Sequence, residues 1–397
     1  VQKRSEKIMM NLSNRFSPRL SRIEVSKIRQ FDQQISSIPD VIKLTLGEPD
    51  FPTPEHVKQA GIAAIEEDFS HYTGMRGLEE LREAACIFQQ QRYGLTYDPQ
   101  TEVLTTVGAT EAIASALLSV LEEGDKVLIP APAYSGYQPL VELAGAELIP
   151  IDTSDTGFVC QPEQFERAFE QYGSAVKAVI LNYPNNPTGT TLSAKQLKAI
   201  AEVLKKYPVF VISDEVYAEL TYSGTHMSIA TYLPEQTIVI SGLSKSHAMT
   251  GWRVGFIFAQ KALIDELIKV HQYLVTAATT MSQKAAAEAL INGVKDSENM
   301  KEQYQTRRDY LVQQLAPLGF EVTQPNGAFY LFCKLPAAIQ TDSWQFCVEL
   351  AEQAKVACIP GIAFGPEGEG YIRISYASSM EKLHEACKRI KDFLTEQ

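Results

Sequence analysis

The chain has 397 residues, of which 45% are hydrophobic and 21% are charged, with a formal net charge of −12. This length exceeds one ordinary hydrophobic core and predicts two lobes, and the composition is that of a globular protein. The negative charge argues against binding to nucleic acid or to anionic membranes. No uncharged apolar stretch is long enough to span a bilayer, so we expect a cytoplasmic protein.

The segment from Val1 to Phe16 is charged and lacks the apolar core of a signal peptide. Because the chain begins with Val, we expect Met9 or Met10 to be the native start. The six cysteines are scattered without a CxxC pair, which predicts reduced core thiols. The six histidines show no ligand spacing, so no metal is expected.

Short apolar runs alternate with helical patterns through the middle of the chain, which predicts a mostly parallel sheet covered by helices. The expected strands are 102–106, 126–130, 175–182, 209–213, 237–241 and 254–259. After the first strand, the pattern predicts a helix in which Ile113, Leu117 and either Val120 or Leu121 share one face.

The C-terminal part shows a different pattern, which predicts a smaller α+β lobe. Its expected elements are helices at 298–315, from Ser343 and at 380–394, and a strand at 370–375. The closing helix places Leu383, Cys387, Ile390 and Leu394 on one face.

The expected division of the chain follows from these two patterns. We expect an N-terminal segment at 1–45 that joins the small lobe, a large lobe at 46–285, and the small lobe at 286–397.

Small and aromatic residues follow the first predicted strands, at the edge where open α/β sheets bind ligands. Gly108, Ala109 and Thr110 precede a helix, so backbone N–H groups and a hydroxyl could hold a phosphate there. In isolation, a simple connection explains this turn slightly better. Tyr134 could stack on a planar cofactor, although loop aromatics more often pack on neighbouring core.

Two later loops carry more specific chemistry. The segment 182–189 is fixed by prolines and a glycine, and Asn186 offers a neutral donor to a phenolate oxygen or a carboxylate. Asp214 follows an apolar run, where a buried carboxylate needs a partner such as a pyridinium nitrogen. The competing interpretation of Asp214 is an N-cap on a following helix. Tyr217 could donate a hydrogen bond to the ring oxygen of the same cofactor.

Two cationic residues complete the pattern. Lys245 follows the apolar strand at 237–241, and Arg253 lies eight residues later. A partly desolvated lysine amine suits Schiff-base chemistry, although a lysine after a strand is usually a solvated loop residue. Arg373 lies within an alternating strand and could bind a carboxylate through two hydrogen bonds. A structural salt bridge is the competing explanation for Arg373.

Together these residues resemble the class I/II, fold-type I pyridoxal-phosphate aminotransferases. The resemblance extends from about Leu44 to the C-terminus. It rests on the motifs Asn-x-Pro-x-Asn-Pro-Thr-Gly, Ser-Asp-Glu-x-Tyr, Ser-Lys with Arg eight residues after the lysine, and Tyr-Ile-Arg-Ile-Ser. The resemblance implies an α/β fold, with a large domain on a mostly parallel seven-stranded sheet and a smaller α+β domain.

The family pattern also implies a role for each matching residue. Lys245 is expected to form the Schiff base with the cofactor and to move the substrate proton. Asp214 is expected to pair with the pyridine nitrogen, Asn186 and Tyr217 to hydrogen-bond the ring oxygen, and Tyr134 to stack on the ring.

The same pattern implies the residues around the phosphate and the substrate. Those around the phosphate are Gly108, Ala109, Thr110, Ser244 and Arg253. Arg373, Asn186 and the Gly47 backbone are expected to bind the substrate carboxylate. Tyr72 is expected to reach the phosphate of a neighbouring subunit, which implies a homodimer with shared active sites.

One position departs from the pattern. Many relatives carry a serine three residues before the lysine, where this chain has Gly242, with Ser241 and Ser244 on either side. Either hydroxyl could therefore hold the phosphate. The local sequence looks most like the bacterial aromatic-amino-acid and N-acetyl-diaminopimelate aminotransferase branch.

Three functions remain open from the sequence. The first is a ping-pong transaminase that uses an L-amino acid and 2-oxoglutarate in amino-acid biosynthesis. The second is a pyridoxal-phosphate lyase acting on C–S bonds, or another enzyme on the same scaffold, because a fold does not fix a reaction. The third is a non-enzymatic regulator, which the acidic chain and the lack of a helix-turn-helix pattern disfavour.

Overall fold

The computed structural model describes residues 15–395, so Met9 and Met10 lie outside the described range. The strands are Ile42–Lys43 (β1), Val103–Thr106 (β2), Lys126–Ala131 (β3), Glu147–Asp152 (β4), Val176–Asn182 (β5), Phe210–Asp214 (β6), Thr237–Gly242 (β7), Gly255–Phe258 (β8), Glu321–Val322 (β9), Tyr330–Lys334 (β10), Val356–Ala357 (β11), Ile359–Pro360 (β12) and Tyr371–Ser375 (β13). The α-helices are Lys27–Ile35 (α1), Glu55–Glu66 (α2), Glu79–Tyr93 (α3), Gly108–Val120 (α4), Tyr137–Ala144 (α5), Pro162–Tyr172 (α6), Ala194–Leu204 (α7), Lys261–Val275 (α8), Thr280–Asn292 (α9), Val294–Leu315 (α10), Ser343–Gln353 (α11) and Met380–Thr395 (α12).

The largest sheet has seven strands in the order β2-β8-β7-β6-β5-β3-β4. Only β8 runs antiparallel to its neighbours within this sheet. Its central strands are buried on both faces, as expected for a parallel sheet between helical layers. This arrangement confirms the expected α/β class and the seven-stranded sheet. The six strands expected in this region are all present, with ends shifted by no more than two residues.

Helix α4 shows how the sequence pattern produces this packing. Ile113, Leu117 and Leu121 are buried against the sheet, whereas Val120 is only partly buried. Leu121 therefore completes the expected face. The helix begins at Gly108, which has a positive φ of 73°. A side chain at Gly108 would therefore be strained as well as crowded.

The second lobe is built on an antiparallel sheet in the order β12-β13-β10-β9. Helix α12 buries Leu383, Cys387 and Ile390 as expected, but Leu394 is only partly buried and Phe393 is buried as well. The wider apolar face reflects a globular core rather than a narrow seam between two helices.

The N-terminal segment packs on elements of this second lobe. Strand β1 pairs in parallel with β11, and Phe31 meets Trp344 of α11 edge-on at 5.6 Å. The expected boundary between residues 285 and 286 falls inside α9, which packs on α2 and α3. We propose that the two domains meet at Gly293, the residue between α9 and α10.

Three neighbouring strands deliver polar residues to one edge of the large sheet. Strands β5 and β6 end at Asn182 and Asp214, and β7 ends at Gly242, three residues before Lys245. The carboxyl ends of these parallel strands therefore define the candidate site.

Two further findings concern the described residues as a group. From residue 15 to residue 395, no helix is long and apolar enough to cross a membrane. In the same range, no cluster of three His, Cys, Asp or Glu side chains is placed to hold a metal ion. All six cysteines are free and buried.

Replacing Gly255 should test the close contact between β8 and α4. A Cβ atom at Gly255 would lie 2.6 Å from the carbonyl carbon of Gly108, a backbone atom that cannot rotate away. We expect G255A to lower the free energy of unfolding by about 1–3 kcal/mol through overpacking. The measurement is urea unfolding followed by circular dichroism. The control is G251A, because nothing lies within 4 Å of a Cβ atom at Gly251. Equal stability of both variants would contradict the prediction.

Candidate active site

Lys245 lies in the turn after β7, where its amine is enclosed by the two lobes. Its Nζ donates a hydrogen bond to the Gly47 carbonyl and lies 5.9 Å from the ring centres of Tyr217 and Phe329. Burial lowers the pKa of the Lys245 amine to about 8, and the Arg373 guanidinium acts in the same direction. Glu48 opposes this shift of the pKa. About a tenth of the amine is therefore neutral at pH 7, whereas an ordinary lysine is almost fully charged.

Asp214 supplies a buried carboxylate at the end of β6. Its Oδ2 accepts a hydrogen bond of 2.6 Å from the Tyr137 hydroxyl, and its Oδ1 accepts one of 3.2 Å from the Val216 N–H. Burial raises the pKa of the Asp214 carboxyl, and these two hydrogen bonds oppose the rise. No α-helix follows directly, since the next element is a 3₁₀ turn at Ala218–Leu220. The N-cap explanation of Asp214 therefore does not apply.

Arg373 is a buried cation whose neighbours leave part of it free. Its Nη1 donates to Asn186 Oδ1 at 3.0 Å, and its Nη2 donates to the Thr45 carbonyl at 2.7 Å. Its Nε is buried without a hydrogen-bond partner. Among the described residues no carboxylate forms an ion pair with Arg373, so the salt-bridge explanation does not apply. Three of its five N–H groups remain for a carboxylate ligand.

Asn186 lies beside this arginine on the loop after β5. Its backbone N–H donates to Asn182 Oδ1 at 3.0 Å, which holds the loop against the strand end. Because its Oδ1 accepts from Arg373, its amide nitrogen is left as the free donor. This orientation suits a donor to a ring oxygen, as the sequence predicted.

The N-terminus of α4 and Arg253 face each other across a narrow gap. A Cβ atom at Gly108 would lie 2.6 Å from Arg253 Nη2, so only a glycine fits there. Arg253 has a positive φ of 57°, and its Nη1 donates to the Thr250 carbonyl at 2.8 Å. Ala109 and Thr110 form the first turn of the helix, and the Thr110 side chain is exposed. The Arg253 guanidinium thus lies beside a helix N-terminus, whose partial positive charge also favours an anion.

Strand direction separates the two serines beside Gly242. Side chains alternate along β7, so Ile240 packs on the α4 side of the sheet and Ser241 points to the other side. Ser241 lines a small cavity with Phe88 and Tyr93, away from the helix N-terminus. Ser244 is buried in the turn after β7, and it stays a candidate hydroxyl for this end of the site.

Two aromatic residues expected in the site lie on different elements. Tyr134, which is 38% exposed, packs edge-on against Tyr137 with ring centres 5.4 Å apart. Tyr217 is buried, and its hydroxyl meets that of Tyr330 at 2.7 Å. Burial raises the pKa of Tyr217 well above its ordinary value, so its hydroxyl keeps its proton and can donate.

A buried acid–imidazole pair supports the helix N-terminus. Glu111 accepts hydrogen bonds from the Val107 N–H at 3.0 Å and from Ser115 Oγ at 2.5 Å. The His271 Nδ1 lies 3.1 Å from Glu111, and its Nε2 lies 3.0 Å from the Met75 carbonyl. Because the Met75 carbonyl can only accept, the His271 Nε2 donates to it, and the other ring nitrogen faces the Glu111 carboxylate.

Tyr72 lies apart from the other expected site residues. It is 87% exposed, on a segment whose neighbours are held by α8 and α9 through His271 and Gln283. The structure therefore presents Tyr72 outward from a fixed segment. Within this chain it contacts none of the site residues.

Four residues of the site were missed from the sequence: Tyr137, Tyr330, Glu111 and His271. Tyr137 and Glu111 follow motifs that were recognised, by three residues and one residue respectively. Their helical positions carried the signal, because both lie in the first turn of a helix at the sheet edge. Nothing in the sequence marks Tyr330 or His271.

These groups fit a ligand that combines a phosphate, an aromatic ring and a carbonyl. The helix N-terminus beside Arg253 suits an anion, the unpartnered Arg373 Nε suits a carboxylate, and the partly neutral amine of Lys245 suits a carbonyl carbon. Asp214 lies where it could face a ring nitrogen.

Comparison with known proteins places this geometry in context. A family described as "Aminotransferase class I and II" matches residues 39–390. The "Probable N-acetyl-LL-diaminopimelate aminotransferase" of Bacillus subtilis (strain 168) is 46% identical, over 95% of this chain and 95% of its own length. The aspartate aminotransferase of Pyrococcus horikoshii is 39% identical, over 94% and 95%. The crystal structure of an aromatic aminotransferase from Pyrococcus horikoshii OT3 superposes with a TM-score of 0.86 at 37% identity, over 92% and 99%.

The lowered pKa of Lys245 gives a prediction for the protein without cofactor. Acylation of Lys245 by a small amine-reactive anhydride should rise with pH and reach half its maximum near pH 8, because burial lowers the pKa of this amine to about 8. The measurement is peptide mass spectrometry after brief labelling across pH 6 to 11, with the exposed Lys198 as internal reference. A Lys245 profile that matches that of Lys198 would contradict the prediction.

Proposed function

Because the chain belongs to the class I and II aminotransferases, we propose that it is a pyridoxal-phosphate enzyme that moves an amino group from an L-amino acid to 2-oxoglutarate in two half-reactions. The observation that carries this proposal is the enclosed Lys245 amine, with Asp214 and Arg373 among the charges that influence it. A cytoplasmic location is part of the proposal, supported by six free cysteines.

The cofactor's phosphate would lie between the N-terminus of α4 and Arg253. Gly108, Ala109 and Thr110 offer donors from the helix, and Ser244 is the candidate hydroxyl because Ser241 lines a cavity on the other side of the sheet. Across the ring, Tyr134 offers an aromatic face, and Asp214 offers a negative charge to the ring nitrogen. When bound, pyridoxal phosphate supplies an electron-withdrawing ring that makes the substrate α-proton acidic.

Lys245 would act as the proton carrier of the reaction. Its pKa of about 8 lies near working pH, so its amine can both accept and release a proton. The hydrogen bond to the Gly47 carbonyl holds the amine against the segment that follows β1. Tyr217 and Asn186 would each donate to the ring oxygen and hold the ring in one orientation.

Arg373 would bind the substrate α-carboxylate. Its Nη1 is held by Asn186, which was expected at this subsite, and its Nε stays without a partner. The guanidinium is held by its two hydrogen bonds before substrate arrives, so little ordering is needed on binding. Water would be displaced as the carboxylate enters the buried pocket, which strengthens the ion pair.

The nature of the amino donor is the finer part of the proposal. The relatives carry the names of N-acetyl-diaminopimelate, aspartate and aromatic aminotransferases. We propose a donor of the aromatic or N-acetyl-diaminopimelate type, because the most similar of these relatives bears the latter name. A role in amino-acid biosynthesis follows from either donor.

A homodimer with shared active sites is also part of the proposal. Tyr72 and Tyr273 are both 87% exposed and are therefore accessible to a second copy of the chain. Tyr72 would enter the phosphate site of a second copy. Sedimentation should give twice the chain mass of 44.0 kDa, and a monomer at micromolar concentration would contradict this arrangement.

The half-reaction distinguishes a transaminase from a lyase on the same scaffold. We expect amino donor alone to convert the absorbance of the enzyme-bound cofactor to that of the pyridoxamine form, with release of one 2-oxo acid per site. The measurement is a stopped-flow absorbance titration over a panel of donors. The control is K245A, which should lose turnover by about 10⁴-fold or more, because the proton carrier is gone. Release of pyruvate and ammonia from a cysteine conjugate, without that conversion, would instead favour the lyase.

A further inference from the structure

Tyr330 joins three segments of the site although no motif marks it. It is the first residue of β10, in the second lobe, and it is fully buried. Its hydroxyl meets Tyr217, its ring lies under Arg373, and its oxygen lies against Gly47. These contacts come from the two lobes and from the segment after β1, so the Tyr330 side chain holds all three in fixed positions relative to one another.

The hydroxyls of Tyr330 and Tyr217 share one hydrogen bond, and either of them can be its donor. Each phenol carries one O–H, and the two oxygens are 2.7 Å apart. If Tyr217 donates to the cofactor's ring oxygen, it cannot also donate to Tyr330. The O–H of Tyr330 must then donate to the Tyr217 oxygen. Burial raises the pKa of both phenols, so both protons are present at neutral pH.

The position of this hydroxyl is fixed by a close contact with the backbone. A Cβ atom at Gly47 would lie 3.0 Å from the Tyr330 oxygen, so a larger residue would crowd the hydroxyl. The carbonyl of the same glycine accepts the hydrogen bond from Lys245. Gly47 therefore contacts both the Tyr330 hydroxyl and the Lys245 amine.

The ring of Tyr330 has a second, separable effect on Arg373. The guanidinium carbon lies 4.4 Å from the Tyr330 ring centre and 4.9 Å from that of Phe364. Aromatic faces stabilise a buried cation without accepting its in-plane N–H groups. The guanidinium is therefore stabilised without a carboxylate partner, and its N–H groups stay free for substrate.

We propose that Tyr330 is a positioning residue for the transamination proposed above, on which this inference rests. Its hydroxyl orients the Tyr217 proton towards the cofactor, and its ring holds Arg373 for the substrate carboxylate. The competing explanation is that Tyr330 only fills the core. Tyr376 is an example of a tyrosine that only fills the core, because its buried hydroxyl lies 3.3 Å from that of Tyr222, which is not a site residue.

The test removes the hydroxyl alone and then the ring. The absorbance of the bound cofactor is titrated with pH in wild type, Y330F, Y217F and the double variant, without substrate. A donor to the ring oxygen stabilises negative charge there and so lowers the pKa at which the absorbance of the bound cofactor changes, called the cofactor pKa here. We expect Y330F to raise the cofactor pKa by about half a unit or more, and Y217F to raise it further. In the Y217F background, adding Y330F should leave the cofactor pKa unchanged, because the hydroxyl acts through Tyr217.

The ring is tested by substrate affinity. Y330F keeps the ring, so the KM for the amino donor should stay within about twofold of wild type. Y330L removes the ring, so KM should rise by about fivefold or more. Y376F is the matched control, which should leave both the cofactor pKa and KM as in wild type.

Each outcome separates this inference from the function on which it rests. A wild-type protein that binds no cofactor, or whose bound cofactor ignores every amino donor, would overturn the proposed function. A responsive wild type together with a Y330F titration equal to that of Y376F would overturn the role of the hydroxyl. The role of the hydroxyl would also be overturned if Y330F still shifted the cofactor pKa in the Y217F background. Unchanged KM in Y330L would overturn the role of the ring.

Discussion

The arrangement of the site depends on charges that are held away from water at one edge of the large sheet. Asp214 and Arg373 are buried, and Lys245 is enclosed between the lobes, yet no pair among them forms a direct salt bridge in the described structure. Isolated buried charges are costly unless hydrogen bonds or ligands compensate them. Phenols and backbone carbonyls supply part of that compensation here. A ligand whose charges are opposite to those of the site would supply the rest. We therefore expect the folded protein to bind such a ligand favourably.

The same constraint explains why the surrounding residues are so closely packed. Tyr137 holds Asp214, Tyr330 lies under Arg373, and the Glu111–His271 pair steadies the helix N-terminus that faces Arg253. Each support lies on a helix or strand rather than on a free loop, which keeps the functional groups in fixed positions before any ligand arrives. Glu111 and His271 also connect the helix N-terminus to the Met75 carbonyl, three residues after Tyr72. The N-terminus of α4 and the outward-facing segment are therefore connected through these two side chains.

Sequence reasoning recovered the sheet and the family, and it named candidate site residues on the motifs, because apolar periodicity and strand-end chemistry are local signals. Lys245, Asp214 and Asn186 follow strands whose apolar runs are unambiguous. Tyr330 and His271 could not be found in this way, since their roles come from contacts across 113 and 160 residues of chain. The direction of β7 shows that Ser241 faces away from α4, whereas Ser244 lies beyond the end of the strand, so the sequence alone left both hydroxyls as candidates. The domain boundary was placed inside α9 because no composition change marks the end of that helix.

The central claim is that Lys245, and no other lysine, reacts with the carbonyl carbon of the cofactor. Reduction of the loaded protein with borohydride would fix that bond permanently, and peptide mass spectrometry would locate it. The account predicts a phosphopyridoxyl group on Lys245 alone, with none after reduction of the K245A variant. A phosphopyridoxyl group on another lysine, or none on Lys245 in a protein that binds the cofactor, would contradict the account.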